Sequence, residues 1–426
     1  MGVFEPAAST MRPKSRQSNR MDMHELAASR ARKQFRLIGQ GSGGGMVWAD
    51  DFDVGERDES DGNKDEGHVA RAALRLALKQ DARSLTPQHA NGQSILKEAR
   101  FLKKAARKLA DLPDEVFDGG FEVFIPKLYR FLEQGAQEWD ALLPLLPSRF
   151  SSTGQALVCE RVMPIMARPG TELEFLTRKH GIRNGGMHDK LNQGCLFRPL
   201  LGRQSQRNIG INRTSIASTS TSIMTTTINT YPLYIDQIEE LGLPARDYAE
   251  AMADALAFLL WAVGIDACGV EYALARPRPR SASSCMNSER PGRNFYDHRL
   301  GDYALWVLGF DRCQKLTMDS EGMDRAAEQF WQNAPYYPTP DFQCSRDGNL
   351  WEIFRDQFLL TSWDLLDSMS CHIQMLPELF IDKVTEIVGH SRDGNSNSSS
   401  SKSRSLTRSN SIVAANGQCL PIRAAL

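Results

Sequence analysis

GIDACGVEYAL, residues 264–274, is the stretch from which the rest of this 426-residue chain is best read. Within it Asp266 stands five residues before Glu271, and the stretch closes on an alternating apolar run. The incoming helix is expected over residues 244–263. Pro244 fits a first turn, and Asp247 and Glu250 suit the positive end of the helix dipole. Tyr248, Met252, Ala255, Leu256, Leu259 and Val263 form one face. The far half, LAFLLWAV, is almost wholly apolar and reads as buried in a core.

Downstream, a Ser-, Arg- and Pro-rich excursion over residues 275–300 precedes an alternating strand at 303–308 and then Gly309-Phe310-Asp311. Asp311 lies two residues past Gly309 and would face the same side if the strand continued. Residues 322–331, 350–363 and 376–388 read as helices. Trp351, Phe354, Phe358 and Ser362 recur at helical spacing, the pattern of core packing. Upstream, residues 196–203 form an apolar run closed at Gly202, and 204–230 are rich in Ser, Thr and Asn. Residues 231–242 read as a helical segment ending at Gly242.

The N-terminal third has its own order. An alternating strand begins at Phe35 and runs into Gly39-Gln-Gly41-Ser-Gly43-Gly44-Gly45, followed by Met46-Val47-Trp48. Strand, glycine-rich turn and strand lets backbone amides approach phosphate oxygens, with Gly39, Gly41 and Gly44 the candidate contacts; the same residues also suit a plain flexible hairpin. Leu74, Leu76 and Leu78 then alternate with Arg75, Ala77 and Lys79, so Lys79 shares a face with Ala77. A small residue and an ammonium on one face suit a base and its phosphates, although an exposed Lys on an amphipathic strand reads the same way. Residues 94–111 form a helix with Ile95, Ala99, Leu102, Ala106 and Leu109 as its stripe. Glu98 sits beside that stripe, within reach of Lys79 if the helix packs on the sheet, or of a neighbouring Lys or Arg if it does not. Strands over 121–132, broken by Pro126, and over 155–162 lead to an expected interlobe hinge at 161–164.

Glycine-rich hairpin, Lys strand, Glu helix, buried helix, Asp loop and strand before Gly-Phe-Asp follow the order of the protein-kinase fold, and the chain resembles it. That resemblance implies Asp266 as base, Lys79 and Glu98 as the phosphate-side ion pair, Glu271 and Asp311 as the candidate metal ligands, and ATP with Mg²⁺ as cofactors. Two departures stand out. Glu271 occupies the place of an Asn, and Gly309 the place of the metal-binding Asp. No Ala-Pro-Glu segment closes an activation loop, which favours small-molecule phosphotransferases over protein kinases as the active comparison. A second resemblance is narrower. CLFRPLLGR, YPLYIDQIEELGL, YAEAMADALAFLLWAVGIDACGVEYAL, LWVLGFDRC, YYPTP and LWEIFRDQFLLTS, in that order, resemble the fungal DUF3669 family over roughly residues 155–385. Its members often carry the label zinc finger protein and have Leu-Asp-Phe-Asp where this chain has Leu-Gly-Phe-Asp. The resemblance implies no function.

Composition bounds the rest. Hydrophobic residues make up 41% of the chain, enough for a substantial core. A formal charge of −1 gives no overall pull toward nucleic acid or an acidic membrane. Eight Cys at irregular spacing, with Cys371-His372 adjacent, supply no finger half-site, so a zinc site is not expected. No apolar run of about 18 residues suggests a membrane span, and the N-terminus lacks a secretory core. The expected fold is α+β and two-lobed: a polar tail over 1–33, a β-rich kinase-like lobe over 34–163 with a disordered acidic insert at 50–67, a helical lobe over 164–390 with flexible inserts at 204–230 and 275–300, and a disordered Ser/Arg-rich tail over 391–426. The expected location is intracellular, cytoplasmic or nuclear, with a protein or small molecule as partner. The expected role is a pseudokinase-type binding or scaffold module. An active small-molecule phosphotransferase and a non-enzymatic helical interaction or DNA-associated protein are the alternatives.

Overall fold

Alternation of apolar side chains builds the first sheet. The computed structural model describes residues 35–40, 46–50, 76–80, 93–112, 123–147, 154–165, 196–205, 230–278, 294–340 and 349–393. Strands β1 (Phe35–Gln40), β2 (Met46–Asp50) and β3 (Leu76–Gln80) are followed by helix α1 (Gln93–Asp111), then by β4 (Val123–Phe124), β5 (Leu128–Leu132) and β6 (Ala156–Glu160). The sheet order is β1-β2-β3-β6-β5, with every neighbouring pair antiparallel. Period-two alternation gives it two apolar faces. Leu76, Leu78, Trp48 and Val158 pack against Trp139 and Leu142 of the short helix α2 (Trp139–Leu142). Leu157 belongs instead with the α1 stripe of Ile95, Ala99 and Leu102. Lys79 extends toward α1, as its register with Ala77 requires.

A second sheet holds the opposite side. Strands β7 (Leu196–Leu200), β8 (Thr230–Tyr234), β9 (Glu271–Ala275), β10 (Phe295–Asp297) and β11 (Gly301–Leu308) take the order β10-β11-β9-β7-β8, and β4 joins β11 in parallel. Helices α3 (Ile235–Glu240), α4 (Ala245–Ala257), α5 (Ser320–Gln332), α6 (Leu350–Leu366), α7 (Cys371–Gln374) and α8 (Leu376–Asp393) supply the main core. The architecture is thus α+β, with sheets toward the N-terminus and helices toward the C-terminus.

The core is centred on α4. Its buried alanines let neighbours approach on all sides, and α6 packs along it. Phe258–Val263 continues α4 as a π-helical turn. Trp261 Nε1 there donates to Ser362 Oγ on α6 at 2.7 Å, so the polar edge of a buried indole is satisfied. The Tyr248 and Tyr303 hydroxyls meet at 2.7 Å between α4 and β11.

Several sequence expectations change. Residues 231–234 are strand, not helix: Pro232 lacks an N–H, which an edge strand such as β8 tolerates, and the helix begins only at Ile235. The helix expected over 244–263 is α-helical only through Ala257. The excursion over 275–300 is partly regular, because β9 reaches Ala275 and β10 starts at Phe295. Helix α8 runs to Asp393, into the expected tail. The all-helical alternative does not fit the five-stranded sheet. The expected tail over 1–33, most of the acidic insert and residues 206–229 lie outside the described residues. Among the described residues, no helix is long and apolar enough to cross a membrane.

Candidate functional site

The site starts from one buried cation. Lys79 Nζ donates to Glu98 Oε1 at 2.9 Å and lies 2.7 Å from Oε2. Asp311 Oδ2 stands 3.9 Å away. Register explains the first contact: Lys79 leaves β3 on the α1 side, and Glu98 lies one turn into α1 beside the apolar stripe. Burial alone pulls the Lys79 pKa down, but Glu98, Asp311 and Glu271 outweigh it and hold the ammonium above its ordinary value. Burial raises the Glu98 carboxyl, and Lys79 draws it part of the way back. The ammonium is therefore a fixed positive charge facing three carboxylates.

The loop after the π-helical turn places Asp266. Gly264 ends the helix in the left-handed region, at φ 69°, where only glycine is unstrained. Leu316 N donates to Gly264 O at 3.0 Å, and Ile265 bridges Lys315. Asp266 Oδ1 accepts from Gln314 N at 2.8 Å and from Cys268 N at 3.1 Å. Burial raises the Asp266 pKa, and these two amide hydrogen bonds oppose the rise. Ala267, the next residue, has φ 52°, a conformation that costs an L-residue about 1–2 kcal/mol. Asn333 holds it there: its Nδ2 donates to Ala267 O at 2.7 Å, and its Oδ1 accepts from Gly269 N at 3.2 Å.

The residues read as metal ligands are otherwise engaged. Glu271 Oε2 pairs with the buried Arg198 of β7. Burial lowers the Arg198 pKa, and Glu271 and then Tyr336 raise it above its ordinary value. Strand β11 stops at Leu308, because Gly309 turns at φ 81°. Asp311 thus reaches Lys79 through a turn, and not by strand continuation as its spacing suggested. A Cβ on Gly309 would sit 2.8 Å from Gly269 O, so in this geometry the position is closed to a side chain.

At the expected hinge, Glu160 is the centre of contacts. Arg278 grips both its oxygens, at 2.7 and 2.6 Å, and donates to Ile125 O at 3.0 Å. The guanidinium lies over the stacked rings of Phe124 and Trp306. Arg276 N donates to Met163 O at 2.8 Å, joining the strand after Asp266 to residues 161–164.

The structure therefore brings Lys79, Glu98 and Asp311 together, with Glu271 within electrostatic reach and Asp266 on the adjoining loop. Gly39 lies in β1 opposite Val47, whereas Gly41 and Gly44 lie outside the described residues. Sequence reasoning missed Arg198, Asn333 and Arg278. Each acts on a partner more than 60 positions away, and no local pattern marks such a pairing.

Residues 305–370 match the DUF3669 family model, described as zinc finger protein. No curated protein and no solved structure matches the chain. The matched stretch contains Cys313 and Cys344 and no His, too few soft ligands for a closed tetrahedral zinc site of its own. Among the described residues, no group of three or more His, Cys, Asp or Glu is placed to hold a metal ion. A DUF3669 region is present over residues 305–370, a narrower span than the 155–385 of the sequence resemblance.

Proposed function

We propose that this chain is a two-lobed, protein-kinase-like binding module that takes the phosphates of ATP on Lys79 and does not carry out efficient metal-dependent phosphoryl transfer. The observation that carries the reading is the Lys79–Glu98 ion pair between β3 and α1, with Asp311 beside it. Lys79, held charged beside Glu98 and Asp311, is a cation for which a phosphate can compete. The all-antiparallel sheet, with α1 inserted between β3 and β5, supports the same reading.

The residues present do not fit Mg²⁺ in the kinase manner. Position 309 has no carboxylate and no room for one, Glu271 is neutralised by Arg198, and Asp311 faces Lys79. The phosphotransferase alternative keeps one supporting feature. Asp266 has a carboxyl raised by burial on a loop held in a strained conformation, which suits a base.

Thermal shift with ATP, with and without Mg²⁺, tests the reading. ATP is expected to raise Tm equally in both, and Lys79→Met, verified as folded by circular dichroism, is expected to lose the shift. A shift that needs Mg²⁺ would favour the phosphotransferase. No shift at all, or one unchanged in Lys79→Met, would remove the assignment.

A further inference from the structure

The loop carrying Asp266 is ringed by cations from three elements. Lys97, Lys104 and Lys108 follow one another on α1 at spacings of seven and four, so they share a stripe. Lys104 Nζ comes within 3.5 Å of the point a Gly264 Cβ would occupy. Lys315 is bridged to Ile265 through its backbone, and the Arg312 side chain lies against Gly269. Arg325 on α5 donates to Thr317 Oγ1 at 2.9 Å. Burial lowers the Lys104 pKa, and the like charges of Lys108 and Lys315 lower it further, so these ammoniums crowd one another. Lys108, Arg312, Lys315 and Arg325 are exposed, and Lys97 and Lys104 half-buried.

Asp266 is a single charge whose Oδ1 accepts two backbone amides. Asp319 is held by Gly322 N and Thr317 Oγ1 at the start of α5. Asp111 on α1 and Glu321 and Asp324 on α5 also lie on these elements, Asp324 paired with Lys383, so the excess of cations is carried by α1 and the 312–315 turn. Crowded like charges at a surface cost free energy that an anionic partner recovers.

From this geometry we infer that the surface of α1, the 312–315 turn and the start of α5 docks an acidic polypeptide segment across the mouth of the Asp266 loop. Single-stranded nucleic acid, the other common polyanion, is bound through exposed aromatic rings as well as charge. Among the described residues, the exposed large apolar ones are Tyr296, Leu360, Met369 and Met375, and none lies on these three elements. The inference does not rest on nucleotide binding, because Lys79 is paired with Glu98 and takes no part in the ring.

The test is fluorescence anisotropy of a labelled oligoglutamate peptide with the full-length protein, at low and rising salt. Binding that weakens with salt is expected. The triple variant Lys104→Glu, Lys108→Glu, Lys315→Glu is expected to weaken it by more than about tenfold. Arg355→Glu on α6, remote from the ring, is expected to leave it unchanged. Circular dichroism and urea unfolding verify that the triple variant is folded, and the double variant Lys108→Glu, Lys315→Glu, which leaves the half-buried Lys104 in place, is expected to weaken binding in the same direction. No peptide binding by the wild type, or equal binding by the triple variant, would overturn the inference. Oligo(dT) binding more than about tenfold tighter than the peptide would replace the acidic polypeptide with nucleic acid and overturn it as well.

Discussion

The two sides of the candidate site handle charge differently. On the β3–α1 side, Lys79 meets Glu98 in a close ion pair and keeps Asp311 at 3.9 Å, so one cation faces more negative charge than it needs. On the β9–β11 side, Glu271 and Arg198 form a closed pair, and Gly309 offers only backbone to Gly269. The first arrangement leaves a cation that a phosphate can recruit. The second leaves no carboxylate pair for a divalent ion. The two sides therefore differ in kind: one holds a cation beside two carboxylates, the other a salt bridge and a tight turn.

The largest effect should come from breaking the closed pair. Arg198→Met leaves Glu271 partly buried without its cation, and urea unfolding should show a loss of about 3–5 kcal/mol. Adding Glu271→Gln should recover much of that loss. If the double variant is no more stable than the single, the pair is not the reason the β9–β11 side is closed.

A third buried charge sharpens the contrast because it has no cation at all. Asp254 Oδ1 accepts from Thr361 Oγ1 at 2.5 Å and from Gln357 Nε2 at 2.9 Å across the α4–α6 seam. Burial pushes its pKa up to about 6, against the pull of those two hydrogen bonds. The folded chain thus binds this proton more tightly than the unfolded chain, where the carboxyl titrates near its ordinary value of about 4. Stability from this group is full below about pH 4 and falls as pH rises to about 6, by about 3 kcal/mol in all. Asp254→Asn should keep both partners and stabilise the protein above pH 6 by up to that amount. A stability difference between variant and wild type that stays flat from pH 4 to 7 would contradict this assignment.

The smallest of the three effects concerns the turn. Gly309→Ala should cost about 1–3 kcal/mol, through positive φ and the close approach to Gly269 O. Thermal unfolding measures it, and a neutral substitution would show that position 309 has room for the side chain the metal side lacks.

Much of this was legible in the sequence, for identifiable reasons. Alternation at Leu76–Leu78 and the α1 stripe fixed which way Lys79 and Glu98 point, because strand and helix periods are local properties. The apolar run before Gly264 marked the buried helix for the same reason. What escaped was long-range or conformational. Arg198 looked like an ordinary residue of an apolar run, because its partner Glu271 is 73 positions away. Asn333 ends α5, and only the fold brings it to Ala267 and Gly269. Tyr231–Tyr234 was misread because its apolar residues also suit a helix start. Pairing with β7 decides for strand.

Isothermal titration calorimetry of ATP into the full-length protein, first in EDTA and then in excess Mg²⁺, bears most directly on the central claim. A phosphate site without a metal site predicts binding in both, with dissociation constants within a factor of about three, well under the 1.4 kcal/mol that separates tenfold affinities. Binding that appears only with Mg²⁺ would contradict it, because that ion would then have found ligands that Gly309 and the Arg198–Glu271 pair are argued to deny.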